Sequence, residues 1–212
     1  MSLKSMIEDP AVGIEEIGSW LDGLDHEARK AEAFTLDRSA QRQLFEQAAA
    51  SPPITLAHFV PDGVPDRTEV IHHGRNTLPL PASQKLFQKR FARPGADDET
   101  RGSGMYGYNE APTRGLIGPG YFVAVETAGQ PEWESRGAVV VDYFQVPEGP
   151  VVEGWPTVVP NSRGIQFFVY NKTRDFMRQV SQHVSIGAAY KKEKALGQFF
   201  ILVREDAATQ PA

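Results

Sequence analysis

Two imidazoles, a guanidinium and a carboxamide fall within five consecutive residues, His72-His73-Gly74-Arg75-Asn76. Arginine binds anions through a planar set of N–H donors, histidine changes its charge near neutral pH, and asparagine donates from an amide. Glycine lets the backbone turn at that point. The stretch therefore predicts a site for a small anionic or polar ligand. The candidate acid–base groups are His72 and His73, and the candidate ligand-binding residues are Arg75 and Asn76.

A metal site at the two adjacent histidines is not predicted. Successive side chains of a regular strand point to opposite faces, so His72 and His73 cannot bind one ion without a bulge. The chain has no cysteine, which excludes disulfides, zinc–thiolate sites, iron–sulfur clusters and cysteine nucleophiles. Nucleotide-binding glycine motifs are also absent, and the sequence does not identify any cofactor. The alternative role of the pair is structural, with one histidine buried and hydrogen-bonded and the other solvated.

Asp142 is the third candidate catalytic group. It lies in the apolar run from Ala138 to Phe144 and shares a strand face with Val140. Burial raises the pKa of a carboxyl group, and such a carboxylate can orient a catalytic histidine. Two alternatives stay open: the strand emerges into solvent at Asp142, or Asp142 pairs with an arginine for structural reasons.

Three more ligand-binding candidates belong to the glycine-rich stretch 104–120 and its end. Tyr108 and Arg114 lie within the stretch, and Tyr121 follows it. Aromatic side chains with a few polar groups are typical of pocket linings. The spacing of the glycines does not match a phosphate-binding loop, and the stretch precedes a strand rather than a helix. Turn formation and packing are the alternative role.

Charge is distributed unevenly along the chain, whose net charge is −5. Residues 1–50 carry 5 basic and 10 acidic side chains, whereas the region 161–194 is basic. His183 lies in that basic region, and we expect it to face an anion together with Arg75. A nucleic-acid-binding protein usually has a clear basic excess, so nucleic acid is not an expected partner.

The first quarter of the chain is predicted to be helical. Ile14, Ile17 and Leu21 recur at helical spacing, and Asp25 is a candidate N-cap for the next helix. The prolines 52 and 53 end this region. The chain therefore divides into an acidic N-terminal helical segment (1–50), a β-rich main domain (54–206) and a frayed tail (207–212).

The densest β-branched and aromatic runs are Tyr121–Val125 and Ala138–Phe144. The second run is apolar on both faces, which predicts a strand covered on both sides. Further strands are predicted at 54–60, 68–73, 165–170, 184–190 and 198–204, and a later helix with a buried face at Phe176, Met177, Val180 and Val184. Residues 84–91 fit a helix or a strand. This order predicts an α+β fold, with the helical segment packed on a mainly antiparallel, barrel-like sheet.

The N-terminus has acidic residues where a signal peptide needs an apolar run, and no segment approaches the roughly 20 apolar residues of a membrane span. We therefore expect a soluble, cytoplasmic protein without a membrane partner. Binding of a small ligand at the histidine-containing stretch is the first functional hypothesis. A hydrolase or isomerase with a His/Asp acid–base pair is the second. The third is a protein–protein interaction module, including a homo-oligomer, that uses the acidic helices or exposed tryptophans.

Overall fold

The computed structural model describes residues 1–206, and its main feature is a closed antiparallel barrel of eight strands. Each strand pairs with the next, and the last pairs with the first, where Leu202 lies opposite Gly74. The strands are β1 (Val70–Asn76), β2 (Leu86–Ala92), β3 (Gly104–Glu110), β4 (Phe122–Glu126), β5 (Val139–Asp142), β6 (Thr173–Gln179), β7 (Val184–Lys191) and β8 (Lys194–Arg204). The predicted α+β fold with a barrel-like antiparallel sheet is confirmed. The tail predicted at 207–212 lies outside the described residues.

Side chains alternate between the barrel interior and its outer wall, as the two-residue period of a strand requires. On β2, Phe87, Lys89 and Phe91 point inward. On β5, Val141 belongs to the interior core, and the next residue, Asp142, points to the outer wall. The interior of an eight-stranded barrel is just wide enough for side chains to fill. Most inward positions of this chain therefore form one core of aromatic and aliphatic residues, to which buried polar groups such as Lys89 are exceptions.

Four helices cover the outer wall at β7 and β8. They are α1 (Leu3–Glu8), α2 (Ile14–Asp22), α3 (His26–Ala33) and α4 (Arg38–Gln47). Leu21 and Leu44 share a second apolar core with Ile186 and Ile201. Asp25 caps α3 as predicted, since its carboxylate accepts from the Ala28 amide at 2.8 Å. No helix within residues 1–206 is both long and apolar enough to cross a membrane.

One end of the barrel, which we call the base, lies where β1 begins and β8 ends. A segment that the sequence predicted to be a strand closes this end. Residues 54–60 instead contain the single-turn helix α5 (Leu56–Phe59). Phe59 is fully buried, and its ring lies 4.8 Å from that of Phe91 between centroids. The strand prediction was wrong because a short alternating pattern fits either structure, and burying Phe59 in the open base decides between them.

Two predictions around β6 were also wrong. The expected strand at 165–170 is the short helix α8 (Gln166–Val169), and the expected helix from Phe176 to Val184 is strand β6 followed by a turn and the start of β7. The spacing of Phe176, Met177, Val180 and Val184 fits a helix, but in β6 Phe176 and Met177 face opposite sides of the sheet. Pairing with β5 and β7 satisfies the backbone of this segment, and that pairing is not visible locally.

The glycine-rich stretch 104–120 is not one long connection. Its first part is β3, and Arg114–Ile117 forms the short helix α6. Gly107 is required because a Cβ atom there would lie 2.4 Å from the Phe122 ring and 2.5 Å from the Arg90 carbonyl oxygen. Glycine in this strand therefore makes room for an aromatic side chain inside the barrel.

The two ends of the barrel differ. The loops 93–103, 127–138 and 180–183 lie at the base, together with α5; the first contains turns and the second the short helix α7 (Pro131–Glu134). The other end carries four loops, 77–85, 111–121, 143–172 and 192–193. We call this end the mouth. It follows from the antiparallel order that every second connection belongs to the mouth.

Candidate functional site

The mouth leads into a cavity of about 220 Å³ inside the barrel. Its wall is mainly apolar and comes from the strands and the mouth loops. The wall includes Leu78, Phe87, Ile117, Val169, Tyr170 and Phe200. The floor is polar and consists of Lys89, Asn109, Tyr143 and Asp175. An apolar cavity with a few converging polar groups is the usual form of a small-molecule site.

Lys89 lies at the centre of the polar floor, and only 2% of its side chain is exposed. Its ammonium nitrogen lies 3.1 Å from Asp175 Oδ2 and 3.1 Å from Asn109 Oδ1. It also donates to the Tyr143 hydroxyl. An ammonium group has three N–H donors, so these three contacts use all of them. The ammonium form of Lys89 therefore has one acceptor for each of its three hydrogens.

Tyr143 and Asn109 connect the two sides of this floor. The Tyr143 hydroxyl donates to Asp175 Oδ2 at 3.3 Å and accepts from Asn109 Nδ2 at 3.1 Å. The same amide nitrogen donates to the Gly120 carbonyl at 3.0 Å, which directs the amide oxygen toward Lys89. The Tyr170 ring stacks on Tyr143 at 5.2 Å between centroids. Each polar group is thus oriented by a partner outside the ion pair.

Burial shifts the pKa values of the three titratable groups toward their neutral forms. It lowers the pKa of Lys89, while the charge of Asp175 and the hydrogen bond to it oppose the shift. Burial also raises the pKa of Asp175, against the opposing effect of Lys89. The pKa of Tyr143 is raised well above its ordinary value by burial and then by the negative charge of Asp175. Each charge is therefore stable in the cavity because the other is present.

Aromatic faces surround the ammonium of Lys89. Its nitrogen lies 4.9 Å from the centroid of the Tyr143 ring and 5.0 Å from those of Phe122 and Phe200. A cation at this distance from a ring face is stabilised by the ring quadrupole, most strongly where water is excluded. These contacts partly replace the hydration that Lys89 loses inside the barrel.

Sequence reasoning missed Lys89 and Asp175. The structure of residues 84–91 was left open between a helix and a strand, and Asp175 directly precedes Phe176, the first residue on the buried face of the wrongly predicted helix. The alternation of Phe87, Lys89 and Phe91 was the available signal, because a strand places all three on one face. Asn109 lies directly opposite Lys89 on the next strand, which brings the two side chains together.

The two predicted catalytic histidines face opposite sides of the barrel wall. His72 is buried at the base, where its Nε2 lies 3.0 Å from the Phe59 carbonyl oxygen. Burial lowers the pKa of His72 to about 3. His73 points outward, half-buried, with Nε2 2.6 Å from a carboxylate oxygen of Glu205. This arrangement matches the structural alternative, in which one histidine is buried with a hydrogen bond and the other is more exposed.

The predicted pairing of Asp142 with a histidine is not formed. Its carboxylate accepts from the Phe144 amide at 2.9 Å and from Arg174 Nε at 3.2 Å on the outer wall. His72 points into the barrel, so the wall separates the two groups. The prediction was wrong in this respect because Asp142 occupies an outward position of β5. The alternative of a structural pair with an arginine describes what is observed.

Among the predicted ligand-binding residues, Asn76 lines the cavity at the mouth. Arg75 points outward and donates to the Phe34 carbonyl. Arg114 pairs with Glu110 at 2.8 Å, and His183 Nδ1 lies 3.0 Å from Asp206. Arg75, Arg114 and His183 therefore contact other protein groups and do not line the cavity.

The two tyrosines belong to a small aromatic cluster on the outer wall. The rings of Tyr108 and Tyr121 lie 5.6 Å apart, and the Trp155 ring lies 5.0 Å from Tyr108. The segment that carries Trp155 covers both tyrosines. They do not line the cavity, because their positions on β3 and before β4 point away from the interior.

Within residues 1–206, no group of three or more His, Asp or Glu side chains is arranged to bind a metal ion. Comparisons of the chain with protein-family models, with curated proteins and with solved structures found no match.

Proposed function

We propose that the barrel binds a small, mainly apolar molecule that carries one anionic or strongly polar oxygen group. The apolar part would occupy the mouth cavity, and the oxygen group would reach Lys89 at the floor. The cavity volume of about 220 Å³ is small for a ligand pocket, which favours a small ligand. This keeps the sequence-based hypothesis of ligand binding but moves the site from the histidine-containing stretch to the interior of the barrel.

The observation that carries this proposal is the buried pair of Lys89 and Asp175, with side chains 2% and 8% exposed. A buried ion pair is a poor source of stability, since apolar residues of similar volume are often as stabilising or more so. Perturbed titratable groups in a cavity are instead common at binding and catalytic sites. The pair lies at the floor of an apolar cavity that opens to the mouth, where a ligand can reach it.

The chemistry of binding follows from the three acceptors of Lys89. A ligand carboxylate would replace one of them and bring a second anion beside Asp175. Two anions next to one cation in a dry cavity are unfavourable, and burial already raises the pKa of Asp175. Asp175 would then take up a proton and donate a hydrogen bond. Binding of an anion is therefore expected to be coupled to proton uptake.

The test uses octanoate and decanoate as probes, with octanol and octylamine for comparison. The carboxylates should bind in calorimetry and raise the thermal midpoint, whereas octylamine should not. Lys89→Met should weaken carboxylate binding by about tenfold or more, because the cation that recognises the anion is removed. Lys191→Met, a mouth lysine outside the floor, is the matched control and should bind as the parent does.

The paired variant Lys89→Met/Asp175→Leu guards against misfolding of the single variant. Removing both charges should leave stability near the parent value, since no unpaired charge stays buried. It should still fail to bind carboxylates. Carboxylate binding that is unchanged in both variants, or absent in the parent, would overturn the proposal.

An acid–base enzyme is the second candidate. Lys89, Tyr143 and Asp175 lie within hydrogen-bond reach of one another, and burial shifts their pKa values in opposite directions. Such a set suits proton transfer next to a carbonyl group. Exchange of solvent deuterium into a small bound ketone, lost in Asp175→Asn, would support this role. If the parent protein shows no exchange, the acid–base role is excluded and ligand binding is the only remaining function of the site.

The interaction-module hypothesis has weaker support. Trp20, Trp133 and Trp155 are each partly buried rather than fully exposed anchors. Association into a homo-oligomer and a cytoplasmic location stay predictions from the sequence.

A further inference from the structure

Large apolar side chains are exposed at one end of this molecule. Within residues 1–206, eleven are exposed, and all but Met1 lie in the mouth loops or at the strand ends beside them. Phe168 and Leu116 are exposed by 76% and 71%. We call six of these residues the apolar rim: Leu78, Leu116, Ile165, Phe167, Phe168 and Leu196. Exposed apolar residues that gather in one place mark an interaction surface.

Six cations lie in the same mouth loops as the apolar rim or at the strand ends beside them. They are Lys85, Arg163, Lys172, Lys191, Lys192 and Lys194. Within residues 1–206, none of these cations forms a salt bridge. The nearby carboxylates have other partners: Glu110 pairs with Arg114 at 2.8 Å, and Glu193 pairs with Arg136 and Arg174. The mouth therefore presents apolar side chains within a positively charged border.

Two carboxylates of the mouth loop 143–172 do not weaken this charge. Glu148 and Glu153 belong to a part of the loop that runs along the outer wall toward the base. The Gly149 amide there lies 3.4 Å from the Tyr106 hydroxyl, and the Trp155 indole donates at 2.6 Å to the glutamate that precedes β1. Both contacts keep this part of the loop beside the wall, away from the apolar rim.

We propose that the mouth docks reversibly onto an anionic lipid surface. The apolar rim enters the headgroup region, and the surrounding lysines face the lipid phosphates and carboxylates. Apolar contact combined with basic residues is the combination that binds proteins to anionic membranes without spanning them. This surface goes beyond ligand binding, and it would let an apolar molecule enter the cavity from lipid without crossing water. It departs from the expectation of no membrane partner, which concerned a spanning segment.

A second copy of the chain fits this surface less well. Two mouths placed face to face would bring both sets of cations together, and like charges across an interface disfavour it. An anionic lipid surface instead neutralises the same border. Charge complementarity therefore selects lipid as the partner.

Flotation of the full chain with lipid vesicles tests the proposal. The chain should bind vesicles with roughly one third phosphatidylglycerol and bind pure phosphatidylcholine much more weakly, with binding reduced by salt. Phe168→Ser/Leu116→Ser and Lys192→Glu/Lys194→Glu should each reduce binding by about tenfold or more. Arg101→Glu, an exposed cation in the loop 93–103 at the base of the barrel, is the charge control and should bind as the parent does.

Three results would overturn the proposal. They are no binding to anionic vesicles, unchanged binding of the Phe168→Ser/Leu116→Ser variant, and a dimer in sedimentation velocity that this variant dissociates. The altered side chains are exposed, so thermal midpoints close to the parent value should confirm folding. The Lys89→Met variant should still bind vesicles, and the rim variants should still bind octanoate. Failure of docking and failure of ligand binding can therefore be told apart.

Discussion

A charged side chain inside the barrel requires partners that replace water. Lys89 has three acceptors and several aromatic faces, whereas the imidazole of His72 packs among aromatic rings and has one hydrogen-bond contact, to the Phe59 carbonyl. The two residues lie opposite each other on β1 and β2. They differ because Asp175 lies near Lys89, whereas no carboxylate among residues 1–206 contacts His72. At neighbouring inward positions, Lys89 thus has the polar partners of a charged group, whereas His72 packs as a neutral ring.

The buried imidazole of His72 predicts acid sensitivity. Its pKa of about 3 in the folded protein lies below the ordinary 6.5. As the pH falls, the unfolded chain therefore binds the proton first. The contribution of His72 to the free energy of unfolding is fully present above about pH 6.5 and is lost as the pH drops toward 3. His72 should contribute a loss of up to about 4 kcal/mol over that range, at most about 1.4 kcal/mol per pH unit. Urea titrations across this range measure it.

His72→Gln should reduce this pH slope, because glutamine can still donate to the Phe59 carbonyl but does not titrate. His58, whose pKa burial also lowers, should account for part of the remaining slope. Phe91→Leu is a suitable control, since Phe91 packs against His72 and its loss lowers stability without removing the imidazole. A slope that is equal in His72→Gln and the parent would exclude His72 as the titrating group.

At the scale of single elements, strand positions in this barrel depend on space as much as on propensity. Gly107 on β3 lies where the Phe122 ring fills the interior, and a Cβ atom would overlap that ring. Gly115 on α6 has nothing within 4 Å of its Cβ position. The same residue type is therefore required at one position and replaceable at the other.

Alanine at these two glycines should give opposite results. Gly107→Ala should destabilise the protein by about 2–4 kcal/mol, because the backbone on one side and the Phe122 ring on the other must move. Gly115→Ala should leave stability unchanged or raise it by about 0.5–1 kcal/mol, since alanine favours a helix. Chemical denaturation of both variants measures this. Equal losses would indicate that the space around Gly107 adapts.

The sequence predicted the structure best where a run of apolar residues becomes a buried strand or a buried helix face. The runs at Tyr121–Val125 and Ala138–Phe144 predicted two strands that are present as β4 and β5. Helices α2 to α4 followed from apolar spacing and from the Asp25 cap. The segment at Phe176 was misassigned because its neighbours β5 and β7 determine its structure. The cavity floor was missed because its four residues come from four separate stretches that only closure of the barrel brings together.

For the molecule as a whole, the helical segment and the barrel share one core. Leu44 on α4 is fully buried against residues of β7 and β8 such as Ile186 and Ile201. The Gln41 side chain lies 3.4 Å from the Arg75 carbonyl oxygen on β1. The helices therefore contact both sides of the junction between the first and last strands. This arrangement predicts that the segment 1–50 does not unfold independently.

Leu44→Ala should test this coupling. Loss of its buried side chain should cost about 2–5 kcal/mol and shift the unfolding of helix and barrel together. Circular dichroism at 222 nm follows the helices, and in a Trp20→Phe background, which removes the tryptophan of α2, the near-ultraviolet signals of Trp133 and Trp155 follow the barrel. Arg42→Ala on the exposed face of α4 is the control and should change stability by less than about 0.5 kcal/mol. Helices that melt first, while the barrel signal persists, would show two independent units.

The position of β8 has a consequence for synthesis on the ribosome. The apolar faces of α1 to α4 pack on β7 and β8, which are the last parts of the described chain to be made. Until those strands emerge, the first helices can pack only on one another and β1 has only one neighbour. The apolar faces of the first helices therefore stay without their barrel contacts for most of translation, a period in which exposed apolar surface favours aggregation.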